Sequence, residues 1–200
     1  MKRIISFLLV SVIGIILIGC TNTGGMTLKP EELTERERKL LTLTGNNIAI
    51  YTIEGLPEKP FSLEVSYEYY KGSNLIETVP LGGILTTSPP EKKDKIEIGL
   101  SIFNNKEIST VIGFGSGTSN RRTDLKDKNL LESNIAGFLD KQVPLTLDSE
   151  VYILQASKGT PFVTLNLGEN KDEESLKSTL EKNDENFLIK ISMKEANINE

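Results

Sequence analysis

After Gly45 the chain alternates apolar and polar residues with a period of two. Ile48, Ile50 and Thr52 alternate with Ala49, Tyr51 and Ile53. Phe61, Leu63, Val65, Tyr67 and Tyr69 alternate with Ser62, Glu64, Ser66 and Glu68. The same pattern returns over Ile96–Ile102 and Phe187–Met193. This period marks strands that bury one face and solvate the other. Weaker strand signals cover Glu107–Phe114, Val143–Leu147, Val151–Ala156 and Phe162–Leu167. Val151-Tyr152-Ile153-Leu154 is apolar on both faces, as a central strand would be.

Turn residues separate these runs. Leu56–Pro60, Lys71-Gly72-Ser73-Asn74, Asn104-Asn105 and Lys158-Gly159-Thr160-Pro161 all break the alternation, and the last two read as hairpin connections. Successive strands are not joined by helices, so a parallel βαβ array is not expected. The pattern predicts a mainly β protein: an antiparallel β-sandwich, immunoglobulin-like or jelly-roll-like, over residues 30–200.

Three stretches carry helical or loop signals instead. Over Glu31–Thr44, Leu33, Leu40 and Leu41 fall on one helical stripe, with acids early and bases late. Pro30 suits the first turn of this short helix, but Thr34 with Glu37 forms a capping box that would start it later. Gly113–Asp127 reads as a polar insertion, followed by a helix over Asp127–Lys141 carrying Leu130, Leu131, Ile135, Phe138 and Leu139. Asn170–Lys182 is mostly charged. Leu176, Leu180 and a Glu173–Lys177 pair allow a surface helix there, with disorder as the competing reading.

The first nineteen residues are of another kind. Lys2 and Arg3 precede a run from Ile4 to Ile18 broken only by Ser6, Ser11 and Gly14, as in a secretory signal. The run is short for a transmembrane span of about 20 apolar residues. Leu17-Ile18-Gly19-Cys20 resembles the lipobox of bacterial lipoproteins. The resemblance implies cleavage after Gly19 and a diacylglyceryl thioether on Cys20, which is the only cysteine. Asn22–Lys29 then reads as the end of a flexible tether running from Cys20 to Lys29. These residues imply a lipid-anchored protein on the extracytoplasmic face of the cell membrane.

Composition narrows the chemistry. The chain of 200 residues has 23 Lys+Arg against 28 Asp+Glu, a net charge of −5. Without Lys2 and Arg3 the net becomes −7. An acidic body does not suit nucleic acid, whose binding rests on cations against phosphates. With no histidine, neither a Ser-His-Asp triad nor a His-ligated metal site can form within this chain. An acylated Cys20 leaves no thiol for disulfides or nucleophilic catalysis. No cofactor and no metal are expected.

The remaining candidates are few. Glu64 and Glu68 share a strand face but lie about 13 Å apart, too far for a glycosidase pair. Gly113-Phe114-Gly115-Ser116-Gly117 resembles a phosphate loop but lacks its lysine. Asp124 and Asp127 do not match a calcium-loop spacing. Tyr67 and Tyr69 share the apolar face and belong to the core. Tyr70 falls on the opposite face and, with Arg121 and Arg122, is a candidate exposed contact. Together these readings predict a membrane-anchored lipoprotein that acts as a binding or interaction module in the cell envelope, for a protein or a wall component, rather than as an enzyme. A carboxylate-dependent hydrolase of a wall polymer is the alternative.

Overall fold

A computed structural model describes residues 25–44, 47–103, 106–125, 134–159, 165–168 and 173–196. The signal segment, the lipobox with Cys20, the Asn104-Asn105 turn, residues 127–133 of the expected helix, and Thr160–Thr164 lie outside the described residues.

Eleven strands and two helices are described. They are β1 (Thr27–Pro30), α1 (Glu35–Thr44), β2 (Asn47–Glu54), β3 (Phe61–Lys71), β4 (Asn74–Leu85), β5 (Ile96–Phe103) and β6 (Glu107–Phe114). There follow β7 (Gly117–Asp124), β8 (Asn134–Phe138), β9 (Val143–Pro144), β10 (Ser149–Lys158), α2 (Glu173–Leu180) and β11 (Glu185–Glu195). They form two sheets, of strand order β7-β6-β5-β2-β1-β9 and β4-β3-β11-β10-β8, here called A and B. Every described pairing is antiparallel. The expected antiparallel sandwich is the observed fold.

The core lies between the sheets, where the period of two places it. Ile96, Ile98, Leu100 and Ile102 of β5 face Leu63, Val65 and Tyr67 of β3 and Ile189, Ile191 and Met193 of β11 in one buried cluster. Tyr69 stacks on Phe187 with ring centroids 4.9 Å apart, and Phe61 meets Phe114 edge-on at 6.1 Å. Tyr51 crosses from sheet A, and its hydroxyl is shared between the carbonyls of Ile153 (3.2 Å) and Leu139 (3.3 Å). Tyr67 and Tyr69 are buried, as the alternation predicted. The Val151–Leu154 run is interior to its sheet, with β10 between β11 and β8 and a bulge at Ile153.

Several local expectations are corrected. The end of the presumed tether is strand: Leu28 pairs with Ile53 on one side and Val143 on the other, and Met26 and Leu28 are buried. Their alternation is too short to stand out beside a glycine pair. The polar stretch Gly113–Asp127 contains β7, which pairs with β6 throughout. The glycine-rich segment is a two-residue hairpin turn, with Gly115 at a φ of 57°. An edge strand facing water needs no apolar face, so β7 carried no hydrophobic signal. Asn134–Phe138, expected to be helical, is β8, paired with β10. Val143–Leu147 contributes only the two residues of β9. Leu165–Gly168 is not strand, and β10 forms no hairpin with it.

β4 has no alternating signal of its own because Pro80, Gly82 and Gly83 interrupt it. Pro80 is tolerated because β4 is the edge of sheet B. Ser66 pairs with Pro80 and Val65 with Gly82, so Leu81 is an extra, bulged residue, and it is fully buried. A Cβ on Gly83 would lie 2.6 Å from the Leu63 carbonyl oxygen, so only glycine fits there.

α1 starts after Thr34, as the capping box requires. The Thr34 hydroxyl accepts from the Glu37 amide, and the Glu37 carboxylate accepts from the Thr34 amide (2.8 Å) and hydroxyl (2.7 Å). Of its leucine stripe, Leu33 and Leu41 are half-buried and Leu40 is 54% exposed, and Leu43, off the stripe, is 84% exposed. α2 is helical with its Glu173–Lys177 ion pair at 2.7 Å. It lies on the outer face of sheet B, where Leu180 joins Tyr70, Leu165 and Leu188 in a second small core.

Candidate functional site

The outward residues of sheet B divide into a covered half and an open half. On the covered half, α2 is tied down by buried amides. Asn186 donates through Nδ2 to the carbonyls of Leu180 (3.0 Å) and Gly72 (3.1 Å). Its Oδ1 accepts from Asn183 (2.9 Å) and from the Ser157 hydroxyl (2.8 Å). This cover corrects the reading of Tyr70. Tyr70 does point away from the main core, but it is only 7% exposed, and its hydroxyl donates to Glu68 at 2.7 Å. Strand alternation tells which face a residue is on, not whether a helix later covers that face.

At the border between the two halves stands a charged cluster. Glu68 is 4% exposed, against the expectation of a solvated strand position. Its carboxylate accepts from Tyr70, from the Tyr152 hydroxyl (3.2 Å) and from Lys190 Nζ (2.7 Å). Lys190 Nζ also meets Glu150 at 2.8 Å. Burial alone would push the Lys190 ammonium down, but its hydrogen bonds to Glu150 and Glu68 and their charges prevail and push it up to about 12. Burial, and then the charge of Glu68, push the Tyr152 hydroxyl up to about 12. Burial, and then its bond to Glu68, push the Tyr70 hydroxyl up as well.

The open half is a groove of about 800 Å³. Its floor comes from β3 (Ser62, Glu64, Ser66), β11 (Lys190, Ser192, Lys194) and Glu150 of β10. Its wall is the distal half of β4 together with Ser119, Asn120 and Arg121 of β7. The wall exists because the bulge at Leu81 bends β4 toward sheet A, where Gly82 lies against Thr110 and Ile112 of β6. Arg121 and Arg122 are adjacent on one strand and so face opposite ways. Arg121 lines the groove. Arg122 lies 3.7 Å from Glu107 and over the Phe103 ring at 5.9 Å, away from it. Of the three candidate contacts, Arg121 alone belongs to this groove.

The arrangement says what chemistry can occur here. Glu68 and Glu150 approach each other closely, but the Lys190 ammonium fills the space between them, where a glycosidic bond would have to lie. Ser66 sits directly opposite Lys190 in register, a pairing that resembles a Ser-Lys dyad. A base must be able to lose its proton, and two carboxylates hold this lysine charged. Ser66 Oγ has no hydrogen-bond partner among the described residues. Glu150, Ser66, Lys190 and Lys194 were not singled out in the sequence. They occupy ordinary polar positions of alternating strands, and only strand pairing brings them together. Among the described residues no group of three acidic residues or cysteines is placed to hold a metal ion.

The YgaN domain matches residues 27–193, from the first residue of β1 to within two residues of the end of β11. The chain belongs to the YgaN domain family. The match covers both sheets and both helices, so the folded body carries the family resemblance that no short motif revealed. No curated protein and no solved structure matches the chain. No helix among the described residues is long and apolar enough to cross a membrane.

Proposed function

We propose that this protein is an extracytoplasmic lipoprotein, held to the cell membrane by diacylglyceryl-Cys20, whose YgaN domain is a binding module of the cell envelope. The observation that carries the binding role is the groove on sheet B: a floor held by the Glu68–Lys190–Glu150 cluster, with Arg121, Lys194 and Glu64 outside any ion pair among the described residues. A rigid floor with uncommitted charges above it suits recognition. The charged lysine between the two carboxylates does not suit catalysis.

The lipobox resemblance of Leu17-Ile18-Gly19-Cys20 supports the location. Strand register supports an orientation of the body on that anchor. Thr27 lies opposite Glu54, so β1 begins at the end of the sandwich that holds Gly55, Phe61 and Phe114. Cys20 precedes Met26 by six residues, which span at most about 21 Å. On this reading the sandwich has this end toward the bilayer, and the groove, which reaches Ser62 and Leu85 near the same end, opens on the membrane side.

Labelled fatty acid in a bacterial host with an intact lipoprotein pathway tests the anchor. Label should enter the wild-type chain and be lost in Cys20→Ala. A wild-type chain that takes up no label overturns the lipoprotein reading. Binding is tested by sedimenting the purified protein with isolated cell envelopes. Arg121→Glu/Lys194→Glu should lose binding that the wild type and Arg122→Glu retain, and equal binding by the wild type and both variants overturns the groove as the binding surface.

A further inference from the structure

We propose that the groove on sheet B binds an extended peptide segment rich in carboxylates. This deepens the binding-module reading by naming the ligand class. Three observations point to it. First, the groove lies where two sheet edges come together: β4 ends sheet B and β7 ends sheet A, and both line it. A strand edge presents N–H and C=O groups to a chain laid alongside, which is how extended peptides add to sheets.

Second, the charges not engaged in ion pairs among the described residues favour an acidic ligand. Arg121 and Lys194 are two cations against the single carboxylate of Glu64. Lys190 cannot supply a third, because Glu68 and Glu150 already hold it. In a chain whose overall charge is negative, these two cations at one groove are a local exception. Third, Ser66 in the floor is 1% exposed, and its Oγ has no hydrogen-bond partner among the described residues. A buried hydroxyl without a partner is costly, and a ligand group reaching the floor would satisfy it.

The dimensions agree. Along the strand direction the floor runs from Ser62 to Ser66 of β3, four rises or about 13 Å. An extended peptide rises about 3.3 Å per residue, so four or five residues lie along it. Among its lining residues there is no aromatic ring on which a sugar could stack. Tyr70 and Tyr152, the nearest candidates by register, direct their hydroxyls to Glu68.

The test uses the full-length protein in detergent micelles, so it does not depend on lipidation. A fluorescent Ala-Glu-Ala-Glu-Ala-Glu peptide, its Lys counterpart and a glycerol-phosphate oligomer are titrated by polarisation. The Glu peptide should bind at least tenfold tighter than the Lys peptide, and raised salt should weaken it. Arg121→Glu/Lys194→Glu should reverse that preference, with an unchanged denaturation midpoint showing that the fold is intact. Equal binding of both peptides, or a preference that survives the double charge reversal, overturns the proposal. Tighter binding of the glycerol-phosphate oligomer than of the Glu peptide also overturns it, in favour of a phosphate polymer. A chain that binds the Glu peptide but takes up no fatty acid would keep this inference and remove only the anchored location.

Discussion

Lys190 on β11 lies 2.7 Å from the buried carboxylate of Glu68 on β3, a diagonal cross-strand pair beside the small core that α2 and Tyr152 share with Tyr70. Both oxygens of Glu68 are engaged, one by Lys190 and the other by Tyr70 and Tyr152. Removing Glu68 takes the acceptor from the Tyr70 and Tyr152 hydroxyls and leaves Lys190 with Glu150 alone, in a largely buried place. Glu68→Ala is expected to destabilise the fold by roughly 3 kcal/mol, the range for breaking a buried pair. Glu68→Leu/Lys190→Met should recover part of that loss, because neither charge is then stranded. Urea denaturation of Glu68→Leu, Lys190→Met and the double variant measures the coupling. Strictly additive losses would mean that the pair does not act as a unit.

The same cluster sets a pH dependence. The Lys190 ammonium is pushed up from 10.5 to about 12, so its contribution is complete below pH 10.5 and fades as pH rises through 12. The Tyr152 hydroxyl is pushed up from 10.0 to about 12, so its contribution is complete below pH 10 and also fades toward 12. These two groups therefore add no slope between neutral pH and about 10, then lower stability together up to about 12. Denaturation midpoints at neutral pH, near pH 10 and near pH 12 should show that break. Lys190→Met should make the alkaline decline shallower. An equally steep decline in the variant would place its origin elsewhere.

β5 offers a test of register. Ile98 is 0% exposed between the sheets, while its neighbour Glu97 faces outward and pairs with Lys95 at 2.7 Å. Ile98→Asp puts a charge into the core and should prevent stable folding or cost several kcal/mol. Glu97→Lys should shift the denaturation midpoint only slightly. A one-residue slip would invert the two results, since it exchanges the faces of the whole strand.

α1 tests a local device. Its leucines at 40 and 43 are exposed, so the capping box rather than burial holds its start. Thr34→Ala should loosen the helix by about 1 kcal/mol. The effect belongs in faster amide exchange over residues 37–44 rather than in the global midpoint. Unchanged exchange there would show that contacts with β2 hold the helix instead.

Much of this molecule is legible in its residues one strand at a time. The period of two places Ile98, Val65, Tyr67 and Ile191 inside and Glu97 and Glu64 outside. Thr34 and Glu37 mark a helix start, and Glu173 with Lys177 marks a surface helix. These signals are local: each reports how a few consecutive residues divide between water and an apolar face. Edge strands leave little such trace. β7 is polar on every exposed position, and Pro80 and two glycines break the alternation of β4, so both needed their pairing partners to be seen. The site is less legible still. Nothing near Glu68 in sequence says that Lys190, 122 positions later, will stand beside it, or that α2 will close over Tyr70. Strand order in an antiparallel sandwich is set by which faces pack best across long loops, and that is a property of the whole chain. The sequence by itself determined the period, the faces and the signal-like N-terminus. Only the tertiary structure decided which polar residues became neighbours, because a bulge at Leu81 bends β4 toward β7 and leaves the outer face of sheet B open beside them.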